Sequence, residues 1–290
     1  MTGDALSIVF DKDAASAVFT LPLSDGRFEN EFAEYLRGLG RTRPSVILAF
    51  PPKAAGTFFR SAVIVAINGQ LLRTAHAHGG RDSAFYLPTF ILYYAGKTPA
   101  ATMVSHIHMQ ALPANRHFIE AFDLKPVIMI RSIPDMLASY CDMLEADPAT
   151  PDNWLNMQLP RGFADMDSAT RTDFLIDMAG PWYASYFATW FDYAASTPER
   201  VCVLHYRDFV ADSPAALEKV LIHSGVPRSR AEFRLAIENV WSERTQFRYN
   251  KGVEGRGRQR FTPEQHARLG RMLDYYPGLA PHRGALLPPG

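Results

Sequence analysis

Apolar residues in this chain fall into short unbroken runs and longer segments where they recur every three or four positions. The runs at 46–50, 126–130 and 201–206 are too brief for helices; each reads as a buried strand, the first as a parallel one. A fourth candidate, 102–108, places His106 and His108 on one face, because strand side chains alternate. Periodic segments predict helices over 58–72, 113–124, 181–195, 215–224 and 263–273. A further amphipathic helix is expected around Phe28, Phe32, Tyr35, Leu36 and Leu39, after a short alternating segment at 6–10. The 181–195 segment is crowded with Trp182, Tyr183, Tyr186, Phe187, Trp190, Phe191 and Tyr193, a density that reads as core.

The connections carry the candidate chemistry. Pro51 and Pro52 end the first run, and Lys53, Ala54, Ala55, Gly56 and Thr57 lead into a helix. Strand, small-residue loop with a lysine, helix is the architecture of a phosphate cradle. Small side chains let backbone N–H groups approach phosphate oxygens, the helix start adds partial positive charge, and lysine adds a full one. The loop is not a Walker A motif, which needs G-x-x-x-x-G-K-[ST]; here Lys53 precedes Gly56. After 126–130 come Arg131, Ser132 as an N-cap, Pro134 in the first turn and Asp135 at the third position. Arg131 at the strand end and Ser139 about two turns into the helix can converge on one anion. Segment 247–262 interleaves Gly252, Gly255 and Gly257 with Lys251, Arg256, Arg258 and Arg260, a backbone that can wrap while several cations point at an anion. Gly225 and Pro227 stop the helix before them. Residues 148–181 mix loop signals with scattered apolar positions and, with 76–90, are expected to shape a binding pocket. Residues 286–290 read as a frayed tail.

Composition narrows the classes. At 290 residues and 47% hydrophobic, the chain can bury the core of one large α/β domain. Thirty basic and thirty acidic residues cancel, which argues against a nucleic-acid or anionic-membrane binder. Cys141 and Cys202 are too few for a disulfide framework, and the closely spaced His76 and His78 lack the cysteine or paired carboxylate of a metal set. There is no basic-then-apolar leader and no apolar run near the ~18 residues of a membrane span. A cytoplasmic protein without a membrane span or a metal is therefore expected.

Pro52 to Phe58 resembles, without a gap, the P-K-S-G-T-T-W loop of the PAPS-dependent sulfotransferases, which grips the 5'-phosphosulfate of 3'-phosphoadenosine 5'-phosphosulfate (PAPS). Ser105 to Pro113 resembles that family's T-H-L-P-L-x-L-L-P segment, which makes His106 the catalytic base; Val104 stands where the family has lysine, and a register two residues on gives the base role to His108. Arg131 to Ser139 resembles the 3'-phosphate site R-N-x-x-D-x-x-x-S, with Ser132 for asparagine. Residues 201–209 are similar to the strand ending in Y-E-D, with Tyr206 as the tyrosine that reaches adenine and Arg207 for glutamate. Residues 247–262 look like R-K-G-x-x-G-x-W-K…F-T: Lys251, Gly252 and Gly255 match, Arg258 stands for the final lysine, and Asn250 and Gly257 depart.

The resemblance implies one sulfotransferase domain over 1–290, P-loop-like, with a mostly parallel central sheet flanked by helices. Its nucleotide segments are 45–62, 102–113, 126–140, 201–209 and 247–262. PAPS as cosubstrate is held by Lys53, Ala54, Ala55, Gly56, Thr57, Phe58, Arg131, Ser139, Tyr206, Lys251, Gly252 and Arg258. The implied reaction is in-line transfer of a sulfonate to an acceptor hydroxyl, less readily an amine, giving PAP and a sulfate ester. The acceptor is a small molecule, carbohydrate or lipid, and the apolar content of 83–94 leans toward a hydrophobic alcohol. The sequence leaves the acceptor and the oligomeric state, a homodimer included, open. Two competitors remain: a P-loop kinase, which lacks a magnesium-binding aspartate after the second strand, and a non-catalytic PAP-binding relative, for which the loss of lysine at Val104 speaks.

Overall fold

The computed structural model describes residues 6–10, 17–21, 34, 45–72, 74, 85–86, 102–146, 153–154, 157–226, 228–242 and 254–288. β1 (Leu6–Phe10) and β2 (Ala17–Leu21) pair antiparallel. Then follow β3 (Ser45–Leu48), α1 (Gly56–Ile67), β4 (Gln70–Leu71), β5 (Met103–His106), α2 (Pro113–Ala121), β6 (Pro126–Ile130) and α3 (Ile133–Ala146). The short pair β7 (Asn153–Trp154) and β8 (Met157–Gln158) precedes the long α4 (Ser168–Ser196) and β9 (Cys202–His205). The chain closes with α5 (Tyr206–Ala211), α6 (Ser213–His223), α7 (Arg230–Ser242), α8 (Arg256–Arg260), α9 (Pro263–Asp274) and α10 (Arg283–Leu286).

Five strands form a parallel sheet in the order β4-β5-β3-β6-β9. Val46, Ile47, Leu48, Val127, Ile128 and Met129 are fully buried, as continuous apolar runs covered on both faces must be. Because all five run one way, their carboxyl ends emerge along one edge, and the chain order reverses at β3, with β5 on one side and β6 on the other. Open α/β sheets bind ligands at such a switch point. The residues that follow β3, β5, β6 and β9 there are the loop before α1, the segment after His106, Arg131 and Tyr206.

Several expected boundaries move, each for a local reason. α1 starts at Gly56 and stops at Ile67, because Asn68 takes a left-handed conformation (φ 51°) and caps it; Leu71, expected in the helix, pairs with Val104 in β4–β5. The expected loop at 148–181 is helical from Ser168. Asp167 caps that end by accepting from the Thr170 amide at 2.9 Å, and Leu175, Ile176 and Ala179 are buried. Pro181, which read as a helix start, lies inside α4. The tail expected from 286 is not frayed at its beginning, since Leu286 is fully buried at the end of α10. Apart from residue 34, the helix expected around Phe28–Leu39 lies outside the described residues, as does most of the 76–90 connection.

Candidate functional site

The loop between β3 and α1 is held by its carbonyls. Tyr186 Oη donates to the Ala49 carbonyl, His108 Nδ1 to Phe50 at 2.7 Å, the Ala54 amide to Pro51 at 3.3 Å, Tyr183 Oη to Pro52 at 3.1 Å, and Arg131 Nη1 to Lys53 at 2.5 Å. Five consecutive carbonyls are thus engaged, four by donors of the scaffold and that of Pro51 by the loop's own Ala54 amide. A carbonyl can only accept, so His108 Nδ1 carries its proton and the tautomer of a neutral His108 is fixed. Burial pushes the Tyr186 phenol well above its ordinary pKa, which keeps it a donor.

What the loop presents to the crevice is the start of α1. Lys53 (φ 66°) and Ala55 (φ 60°) both adopt the left-handed conformation, which costs a non-glycine residue about 1 kcal/mol or more and is characteristic of functional loops. Such turns gather backbone amides into an anion-binding concavity. No side chain caps α1, so its first-turn amides, which have no acceptor within the helix, add to that donor set. His106 lies over Gly56: a Cβ on that glycine would stand 2.1 Å from His106 Nε2. His108 meets His106 edge-on with ring centroids 4.7 Å apart. Both histidines are nearly buried. Val104, where lysine was missed, is fully buried opposite Val46.

Across the sheet edge, a cavity of about 440 Å³ is lined by Arg131, Asp135, Tyr206, Arg207, Arg258 and His266 among others. The Arg131 guanidinium stacks on the Tyr206 ring, 4.0 Å from its centroid. Arg131 Nε is buried with no hydrogen-bond partner among the described residues, an N–H that a bound anion would satisfy. Arg131 therefore joins the two halves, bonding the Lys53 carbonyl on one side and lining the cavity on the other.

The remaining expected residues are placed as follows. Ala54 is fully buried in the loop. Phe58 is buried against Phe209, with ring centroids 6.0 Å apart, and is not among the side chains lining the cavity. Ser139 is buried in α3 and likewise does not line it. Lys251 and Gly252 lie outside the described residues. Among the described residues of 247–262, Arg256 and Arg260 are bound to α3 carboxylates and do not join Arg258 in lining the cavity. Gly257, a departure from the family's tryptophan, lies on the Pro134 backbone, where a Cβ would come within 2.2 Å of its carbonyl carbon.

Tyr183, Tyr186, Arg207 and His266 were not expected as site residues. The signal for the tyrosines was their spacing of three on one helix, with Trp190 four further on; Trp190 Nε1 donates to the Met109 carbonyl at 2.9 Å and so ties the segment after the histidines to the same helix. Among the described residues, no group of three or more His, Cys, Asp or Glu is placed to hold a metal, and no helix is long and apolar enough to cross a membrane.

Comparison with protein-family models and with curated proteins finds no match. Comparison with solved structures does. A mouse sulfotransferase, SULT7A1, complexed with PAP superimposes with a TM-score of 0.57 over 85% of this chain and 89% of that one, at 17% identity. Retinol dehydratase, in one structure with androsterone and the inactive cofactor PAP and in another with retinol and PAP, superimposes with a TM-score of 0.53 over 95% of this chain and 90% of that one, at 12% identity. The parallel sheet and the helices around it have the fold of these PAP-bound sulfotransferase structures.

Proposed function

We propose that this chain is a sulfotransferase that moves the sulfonate of PAPS to the hydroxyl of a small organic acceptor. The observation that carries the reading is the loop whose Ala49, Phe50, Pro52 and Lys53 carbonyls are engaged by the scaffold, with His106 over Gly56 at the start of α1 and Arg131 linking the loop to the cavity it lines with Arg207 and Arg258. That arrangement suits a ligand with anionic groups at both ends.

PAPS supplies an activated sulfonate whose bond to the 5'-phosphate breaks as a new sulfur–oxygen bond forms. Lys53, Thr57 and the first amides of α1 hold the 5' end and stabilise the charge left on the bridging oxygen. His106 takes the acceptor's proton, for which it must be neutral and within hydrogen-bond reach. His108 fixes the loop through Phe50. Arg131 and Arg258 meet the 3'-phosphate, with Tyr206 beside the adenine. Lys251 and Gly252 join them on the strength of the sequence resemblance. The buried Phe58 and Ser139 support this site from behind. The reaction as written needs no metal.

A hydrophobic alcohol is the favoured acceptor, on the apolar content of 83–94, where the described Phe85 packs on Phe118, itself stacked on Phe122. The test is incubation of the protein with labelled PAPS and a panel of alcohols, phenols and sugars in magnesium-free buffer. The expected result is a product carrying the sulfonate mass gain and an equivalent of PAP. PAP binding without transfer to any acceptor would leave a nucleotide-binding relative, and ATP turnover with magnesium would make the chain a kinase.

A further inference from the structure

α8 carries three arginines on five residues, and the fold sorts them. Arg256 and Arg260, one turn apart on one face, both bind Asp142 of α3, Arg260 at 2.7 Å, and Arg260 also reaches Glu145 at 2.6 Å. Arg258, on the opposite face, lines the cavity with Arg131. The start of α8 is held by a different device. Asp135 Oδ2 accepts from the Gly255 amide at 2.9 Å, and Oδ1 from the Gly257 amide at 2.8 Å. Gly257 permits that approach, since any Cβ there would strike Pro134. Asp135, Asp142 and Glu145 stand at i, i+7 and i+10, so one side of α3 carries these attachments.

Asp135 is 3% exposed and lines a cavity with Arg131, Arg207, Arg258 and Glu254. An open carboxylate there would repel a phosphate. Both of its oxygens are instead directed at backbone amides, and it lies in the first turn of α3, where the helix dipole favours negative charge. We infer that Asp135 is a positioning residue for the nucleotide: it makes no ligand contact itself but latches the Gly255–Gly257 backbone to α3 and thereby aims Arg258 at the 3'-phosphate. The inference rests on the sulfotransferase reading and assigns the 3'-phosphate selectivity of that site to a residue behind it. Because Arg256 and Arg260 keep α8 docked through Asp142 and Glu145, loss of the latch misaims Arg258 without releasing the helix.

The experiment is calorimetric titration of PAP and of 5'-AMP onto wild type, Asp135→Asn, Arg258→Ala and the double variant. Asparagine keeps the shape and one acceptor but sets an N–H against an amide. The expected result is an affinity for PAP lowered about tenfold by Asp135→Asn, a change in 5'-AMP affinity below about twofold, and little further loss in the double variant, because both changes remove one interaction. Equal losses for PAP and 5'-AMP, or losses that add in the double variant, overturn the inference. Should Asp135→Asn fail to fold, hydrogen exchange on wild type decides: the Gly255 and Gly257 amides are predicted to be protected with and without PAP, and rapid exchange without PAP overturns the latch. Wild type that binds no PAP rejects the functional reading, an outcome distinct from a loss confined to the variants.

Discussion

At the residue scale, Gly56 and the two histidines bear most directly on the chemistry. Gly56 leaves room for the His106 ring, and a methyl there would overlap it; His106 has Phe50 and His108 beside it and no room to retreat. Gly56→Ala is therefore expected to lower kcat at least about tenfold and to lower the denaturation midpoint as well, since a packed ring must be displaced to admit the methyl. His106→Ala should remove most turnover and leave PAP affinity within about threefold, the pattern of a lost proton acceptor. His108→Ala should weaken PAP binding as well, because it leaves the Phe50 carbonyl without its donor. Steady-state kinetics with a PAP titration separate the two, and the reverse pattern would move the base to His108. Lys53, Gly56 and Arg131 stood out in the sequence as residue types suited to an anion at strand ends, whereas His106, with His108 as the alternative, was singled out only by the family resemblance. The left-handed turns at Lys53 and Ala55 were not, since alanine and lysine give no local sign of such a conformation.

At the element scale, α4 is the girder of the site. Its tyrosine hydroxyls and tryptophan N–H reach the loop and the segment after the histidines across more than eighty residues of chain. Tyr186→Phe keeps the packing but strands the buried Ala49 carbonyl, at a cost of about 1–3 kcal/mol. Chemical denaturation should show that loss, and kcat should fall with it; an unchanged midpoint would mean that the contact does not stabilise the loop. The sequence marked this helix as core, which it is, but core aromatics and aromatics with a polar task share one hydrophobic pattern. α8 was missed for a different reason. Gly255, Gly257 and three arginines look like a solvated loop, and the helix exists because Asp135, Asp142 and Glu145, more than a hundred residues earlier, take up its amides and two of its charges.

At the scale of the whole molecule, the sheet order places the loop, the histidines and Arg131 at one switch point. Four of the five strands of this sheet were legible because runs such as 46–50 and 126–130 are apolar on both faces, whereas the two-residue β4 fell inside the expected helix 58–72; the parallel order was legible through the family resemblance. The extent of α4 was not, because Pro181 inside a helix contradicts the usual start signal. Stability should also carry a signature of burial. Burial, helped by Arg207, holds His205 below its ordinary value, and burial does the same to His223. Both are thus neutral in the fold and take up protons more readily when unfolded, so stability is full above about pH 6.5 and falls as the pH drops through their lowered values. Denaturation midpoints between pH 7 and 5 should decline, and His205→Gln with His223→Gln should flatten that decline; a parallel decline in the variant would place its origin elsewhere.

The central claim is that one doubly phosphorylated adenosine nucleotide is held at both ends across the strand tips. Magnesium-free calorimetry of PAP against 5'-AMP, on wild type and on Arg131→Ala, tests it most directly. The account predicts that wild type binds PAP more tightly than 5'-AMP and that Arg131→Ala erases most of the difference. Equal affinity for the two nucleotides in wild type, or equal losses for both in the variant, would contradict it.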